Sequence, residues 1–217
     1  MTIGPYTYYS AFKRRQRKDV DSAAFADGLH ELAESHRVSI RGVYACLGFR
    51  TDSDLAMWWT AESADDIQRM LADLDRSAMG SVLSQSWAFL GLHRPPEVAK
   101  DHVPAFLQGK EPKKYVVIYP FVRTADWYLM PRDERAQLLR EHGDMGREFP
   151  DILANTTSGF GLADWEWILA FEADELSSLV DCMRRLRDAE ARRYTKDDTP
   201  FITGIRGETK DVFSLLW

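Results

Sequence analysis

The chain has 217 residues, 45% of them hydrophobic and 29% charged, enough to bury the core of one domain or of two small ones. Its net charge of -6 argues against a general nucleic-acid binder, whose phosphate partners need a basic surface; its two separated cysteines, Cys46 and Cys182, argue against a disulfide framework or cysteine metal site and fit a reducing cytoplasm. The opening residues MTIGPYTYYS hold no apolar leader, and no window reaches the roughly 18 apolar residues of a membrane span.

Tyr6 to Lys13 is rich in β-favouring residues and predicts a strand. The basic run that overlaps its end, Phe12 to Lys18, is expected to be a solvated connection. A helix follows over about Ser22 to His36, with Phe25, Leu29, Leu32 and Ala33 on one face. Two strands, Ser39 to Phe49 and Asp54 to Thr60, flank the turn-like Arg50–Ser53 segment. The second helix opens at Ser63-Ala64-Asp65-Asp66, a variant capping box, and spaces Ile67, Met70, Leu71 and Leu74 helically. Ser84 to His93 closes a β-α-β-β-α-β unit.

The pattern then repeats. Lys114 to Val122 predicts a strand, and Arg132 to Arg147 a helix beginning after Pro131. Strands are expected at Asp151 to Ser158 and Trp165 to Glu172. A helix from about Asp174 to Arg193 carries Leu176, Leu179, Val180 and Met183 on its buried face, and Thr199 to Ile205 is the last strand. Between the repeats, residues 95–112 hold four of the nine prolines and suggest an extended linker or active-site loop. The expected organisation is an α+β protein with an N-terminal ferredoxin-like unit over 1–94, the linker over 95–112 and a second unit over 113–217. Together they suggest two antiparallel sheets with helices on one face, packed as an α+β barrel.

Of the five histidines, His30, His36 and His93 are expected to be surface or structural residues. His142 projects from an apolar helix face, with Leu138, Leu139 and Met145 three or four positions away and Gly143 beside it leaving room for something bulky. A neutral imidazole in such a place suits an axial iron ligand, but it also suits a core histidine bonded to a carbonyl. His102 lies in the linker. No metal-binding histidine cluster, glycine-rich phosphate loop or nucleophile elbow is present.

The ordered motifs narrow this. Ile118-Tyr119-Pro120-Phe121-Val122-Arg123, Asp126-Trp127-Tyr128-Leu129-Met130-Pro131, Glu141-His142-Gly143 and Gly146-Arg147 resemble the chlorite-dismutase-like family. Ala154-Asn155-Thr156-Thr157, Asp164-Trp165-Glu166-Trp167, Glu190-Ala191-Arg192-Arg193-Tyr194, His93-Arg94-Pro95-Pro96 and His102-Val103-Pro104-Ala105-Phe106 resemble its actinobacterial coproheme decarboxylase branch. The resemblance implies a pair of ferredoxin-like units per subunit, assembled as a homopentamer, with the porphyrin in the C-terminal unit. It implies His142 as the axial ligand of the iron and Tyr119 as the catalytic tyrosine, whose radical abstracts hydrogen from a propionate. It further implies His102 as the distal acid–base for hydrogen peroxide, Arg123 and Trp127 near the propionates, and Ala191 and Arg192 at the distal rim. Iron coproporphyrin III (coproheme) is then both cofactor and substrate, and haem b the product. Chlorite decomposition, which the family carries out with a distal arginine, fits poorly because no arginine occurs between Arg147 and Arg184. A haem carrier or sensor remains an alternative that needs His142 alone.

Overall fold

The computed structural model describes residues 5–15, 20–95 and 103–217; His102 and part of the basic run, residues 16–18, lie outside them. Two compact units emerge, one of residues up to 93 joined by 202–217, the other of residues 94–201.

The first unit runs β1 (Tyr6–Arg14), α1 (Ser22–Ser35), β2 (Ser39–Ala45), β3 (Leu55–Ala61), α2 (Ala64–Arg76), the short α3 (Ala78–Val82) and β4 (Leu83–Leu92). Its antiparallel sheet has the order β4-β1-β3-β2, the ferredoxin-like arrangement that the split βαβ pattern predicts. Both helices start at side-chain caps. Asp21 accepts from the Ala23 and Ala24 N–H groups at 3.1 and 3.0 Å, and Ser63 Oγ accepts from Asp65 N at 3.1 Å. The other half of the expected capping box is absent, because the Asp66 carboxylate accepts from Arg37 Nη2 at 3.0 Å instead. Ala26, Leu29 and Ala33 of α1 and Ile67, Met70 and Leu74 of α2 are buried against Tyr8, Met57 and Trp59 of the sheet.

The second unit contains β5 (Tyr115–Arg123), α4 (Ala125–Leu129), α5 (Arg132–Arg147), β6 (Leu153–Ser158), β7 (Trp167–Ala173), α6 (Leu176–Leu186) and β8 (Thr195–Asp197). Its strand order, β8-β5-β7-β6, repeats that of the first unit. The linker forms a 3₁₀ turn at Ala105–Gln108, closed by Gly109 in the left-handed region at φ 69°. Two further elements, β9 (Ile202–Gly207) and α7 (Thr209–Leu216), belong to the first unit. There β9 pairs with β2, and Val212, Phe213 and Leu216 enter the core.

The last strand of the second repeat is therefore Thr195–Asp197, not Thr199 to Ile205. Two of its three residues are exposed, so no hydrophobic alternation announces it. The preceding helix also ends earlier than expected, at Leu186 rather than Arg193. Residues 190–194 form a 3₁₀ turn, and the Ala191 carbonyl accepts from Arg123 Nη1 at 2.7 Å, so it is spent on a tertiary contact. On α6 the buried stripe is Leu179 and Cys182 with Leu176, Met183 and Leu186 beside them. Val180 is 52% exposed, one residue out of phase with that stripe. Both cysteines are free thiols, and no helix among the described residues is long and apolar enough to cross a membrane.

Candidate active site

One face of the second unit carries an open cleft lined by both apolar and charged side chains. Strand alternation brings Tyr119, Phe121 and Arg123 of β5 to this face, and the β5–β7 register sets Leu169 opposite Tyr119. The remaining wall comes from Met183 and Leu186 of α6, Arg187 just beyond it, Ala191 and Arg192 of the 3₁₀ turn, Thr195, Asp198 and His142 of α5.

Helix α5 contains no fully buried residue, and Leu138, Leu139 and Met145 are half-buried. His142 Nδ1 is buried and finds no hydrogen-bond partner among the described residues. That disfavours a core histidine bonded through Nδ1 to a carbonyl and leaves a ring nitrogen with unmet bonding capacity. Burial, then the nearby Arg123 charge, lowers the imidazole pKa from its ordinary value, so the ring is neutral at neutral pH and its lone pair can bind a metal. Gly143 is less constrained than its sequence position suggests. A Cβ placed there meets nothing nearer than Arg147 Nη1 at 3.7 Å.

Tyr119 is buried but reaches the cleft wall. Its ring stacks on Phe201 at 4.8 Å between centroids and meets Phe171 edge-on at 5.9 Å. Burial pushes its phenol pKa well above the usual value, opposed by the positive charge of Arg187. The group is therefore a neutral phenol that keeps its O–H, held rigidly by aromatic contacts.

Arg123 is the most constrained cation. Its Nη1 donates to Ala191 O at 2.7 Å and to Thr195 Oγ1 at 3.1 Å, and its guanidinium carbon lies 4.2 Å from the Trp127 ring centre and 4.9 Å from that of Phe121. Burial lowers its pKa to about 10. Trp127 is 4% exposed and does not line the cleft; it backs Arg123 and leans on Tyr194 at 5.8 Å. Glu166 ties this corner together, accepting from Arg123 N at 2.7 Å and from the Tyr128 hydroxyl at 2.6 Å.

The structure thus brings His142, Tyr119, Arg123, Ala191 and Arg192 to one cleft and leaves Trp127 behind it. Arg187 and Asp198 were missed by sequence reasoning. Asp198 Oδ2 accepts from Arg187 Nη1 at 2.5 Å and from Arg192 Nη1 at 2.9 Å. The one available signal was the density of arginines at 184, 185, 187, 192 and 193, which reads as the solvated face of a long helix. Among the described residues no group of three or more His, Cys, Asp or Glu side chains could hold a metal. A neutral imidazole, apolar walls and three guanidinium groups suit a metal-centred ring bearing carboxylates.

Comparison with known proteins agrees. The chlorite dismutase family model matches residues 20–207. A coproheme decarboxylase of Mycolicibacterium smegmatis is 45% identical over 184 residues, 84% of this chain and 80% of that protein. One from Thermus thermophilus is 27% identical over 80% of this chain and 74% of its own length. A solved chlorite dismutase of Candidatus Nitrospira defluvii, in complex with imidazole, superposes with a TM-score of 0.86 at 16% identity, covering 99% of this chain and 96% of that one. With a fold of paired ferredoxin-like units and a family match spanning both, the chain belongs to the chlorite dismutase family.

Proposed function

We propose that the chain is a coproheme decarboxylase, which converts two propionates of iron coproporphyrin III to vinyl groups with hydrogen peroxide and yields haem b. The observation that carries this reading is the convergence, in one cleft, of a neutral imidazole at His142 whose Nδ1 has no hydrogen-bond partner among the described residues, a protonated phenol at Tyr119 and the guanidinium groups of Arg123, Arg187 and Arg192. The 45% identity to a coproheme decarboxylase supports it. The working unit is a homopentamer of the cytoplasm, with the porphyrin held in each C-terminal unit.

The residues present fit the porphyrin. His142 would hold the iron, Phe121, Leu169, Met183 and Leu186 would offer apolar surface to the ring, and the guanidinium groups would receive its carboxylates. Once bound, the iron supplies the oxidising chemistry when it meets peroxide. Tyr119 gives up an electron and its phenolic proton, then recovers a hydrogen atom from the β-carbon of the adjacent propionate. His102 moves the peroxide proton as acid and base. Each turn consumes one peroxide and one proton, releases carbon dioxide and two waters, and leaves a vinyl group. The segment Asn155–Ser158 is polar but uncharged, so it presents no arginine for chlorite.

Purified protein mixed with iron coproporphyrin III and titrated with hydrogen peroxide is expected to yield pigment that loses two carboxyl groups in sequence by mass spectrometry. Tyr119→Phe is expected to bind the porphyrin and leave its carboxyl groups intact. A pigment that is unchanged or merely bleached by the native protein overturns the reading.

A further inference from the structure

The cleft holds three guanidinium groups, but they are not equally available. Arg123 donates to Ala191 and Thr195 and is flanked by two aromatic rings. Arg187 and Arg192 keep 39% and 38% of their side-chain surface exposed and line the cleft directly. Both donate to the same oxygen of Asp198, whose side chain is 15% exposed and is the one carboxylate of the described lining. A carboxylate thus already sits where a carboxylate-bearing substrate would bind.

Resting on the functional reading above, we propose that Asp198 is an internal counter-carboxylate: it holds Arg187 and Arg192 until a substrate carboxylate displaces it, and takes them back when that carboxylate is lost. Arg187 and Arg192 are both more than a third exposed, so leaving them without an anion carries only a modest penalty, which conversion of a propionate to a vinyl would impose. Asp198 removes that penalty for the product while competing with the substrate. It is therefore a specificity-determining residue, lowering the preference of the site for porphyrins with more carboxylates and easing the passage from tetracarboxylate to dicarboxylate.

The test is a peroxide-free absorbance titration of apoprotein with iron coproporphyrin III and, separately, with haem b. Asp198→Asn is expected to bind iron coproporphyrin about tenfold more tightly than the native chain, equivalent to about 1.4 kcal/mol, and haem b within twofold. Arg187→Gln in the same background is expected to abolish the gain. Equal or weaker binding of iron coproporphyrin by Asp198→Asn, or the same gain for both porphyrins, overturns the proposal. Native protein carrying carboxyl-labelled aspartate gives a readout that needs no variant to fold. One aspartate carboxyl resonance is expected to move with metal-free coproporphyrin III and to stay with protoporphyrin IX; equal movement with both counts against Asp198. Failure of the native chain to bind iron coproporphyrin at all would instead sink the functional reading.

Discussion

The guanidinium carbon of Arg123 lies 4.2 Å from the centre of the Trp127 ring, and Trp127 itself is buried behind the cleft wall. A planar cation stacked in this way is held in one orientation, and desolvated cation–π pairs contribute about 2 kcal/mol. Arg123 can then place charge beside His142 and Tyr119 without reorganising when a ligand arrives.

This pair gives the first prediction. Trp127→Leu is expected to weaken iron coproporphyrin binding by about tenfold, with Trp127→Phe in between because a smaller ring keeps part of the attraction. Absorbance titration of the apoprotein measures both. An affinity for Trp127→Leu equal to that of the native chain would show that Arg123 needs no support.

His142 gives a prediction about pH. Its folded pKa is lowered, first by burial and then by Arg123, so below the unfolded histidine value of about 6.5 the unfolded chain takes up a proton that the folded chain resists. That difference erodes apoprotein stability as pH falls from about 6.5 towards the lower folded value, and is absent above it. His142→Phe is expected to flatten this part of the profile, measured as urea midpoints across the acid range. A variant with the same acid slope as the native chain would remove His142 from the account.

Tyr119 is buried and its phenol pKa is pushed well above the usual value. The native apoprotein is expected to retain at least one protonated tyrosine through about pH 11, beyond the ordinary tyrosine titration near 10, in an ultraviolet difference titration. Tyr119→Phe should remove a late-titrating group rather than an early one. A signal lost near pH 10 in that comparison would show the ring to be solvated. The sign matters for the chemistry, since a phenol that stays protonated can return to the same state after each turnover.

Much of this arrangement was legible from residue order. Leu29, Ala33, Ile67, Met70 and Leu74 fall on the buried helix faces their spacing predicts, and the motifs around Tyr119 and His142 converge on the cleft. The failures cluster where tertiary contacts override local pattern. Residues 187–198 look like a helix tail and a polar connection, yet the Ala191 carbonyl accepts from Arg123 Nη1 and the side chains of Arg187, Arg192 and Asp198 help complete the cleft. No periodicity encodes a 3₁₀ turn followed by a three-residue strand. For Trp127, the motif position says that an indole matters without saying whether it touches ligand or supports a neighbour.

The face of the sheet opposite the cleft supports the last prediction. Asn155 and Glu172 are fully buried and sit on β6 and β7 in alternate phase to the cleft residues. Asn155 Oδ1 accepts from Phe106 N at 2.8 Å, and its Nδ2 donates to Ala170 O at 3.0 Å and to Glu172 Oε1 at 3.1 Å. Glu172 Oε2 accepts from Lys113 N at 3.1 Å. Two buried side chains thus hold the linker at Phe106 and the chain just beyond it at Lys113, and His102 lies four residues before Phe106 in the chain. Asn155→Ala removes an acceptor from a linker N–H and a donor from a buried carboxylate, so it is expected to cost about 2 kcal/mol in urea unfolding. It should also speed hydrogen exchange at the Phe106 amide. Glu172→Gln keeps the shape and an acceptor oxygen, so the Lys113 amide is expected to remain more protected in it than in Glu172→Ala. If Asn155→Ala lowers global stability while Phe106 exchanges no faster than the rest of its unit, the pair supports the sheet and does not fasten the linker. If Phe106 loosens selectively, the anchoring of the His102-bearing linker can be tuned without touching any residue that lines the cleft.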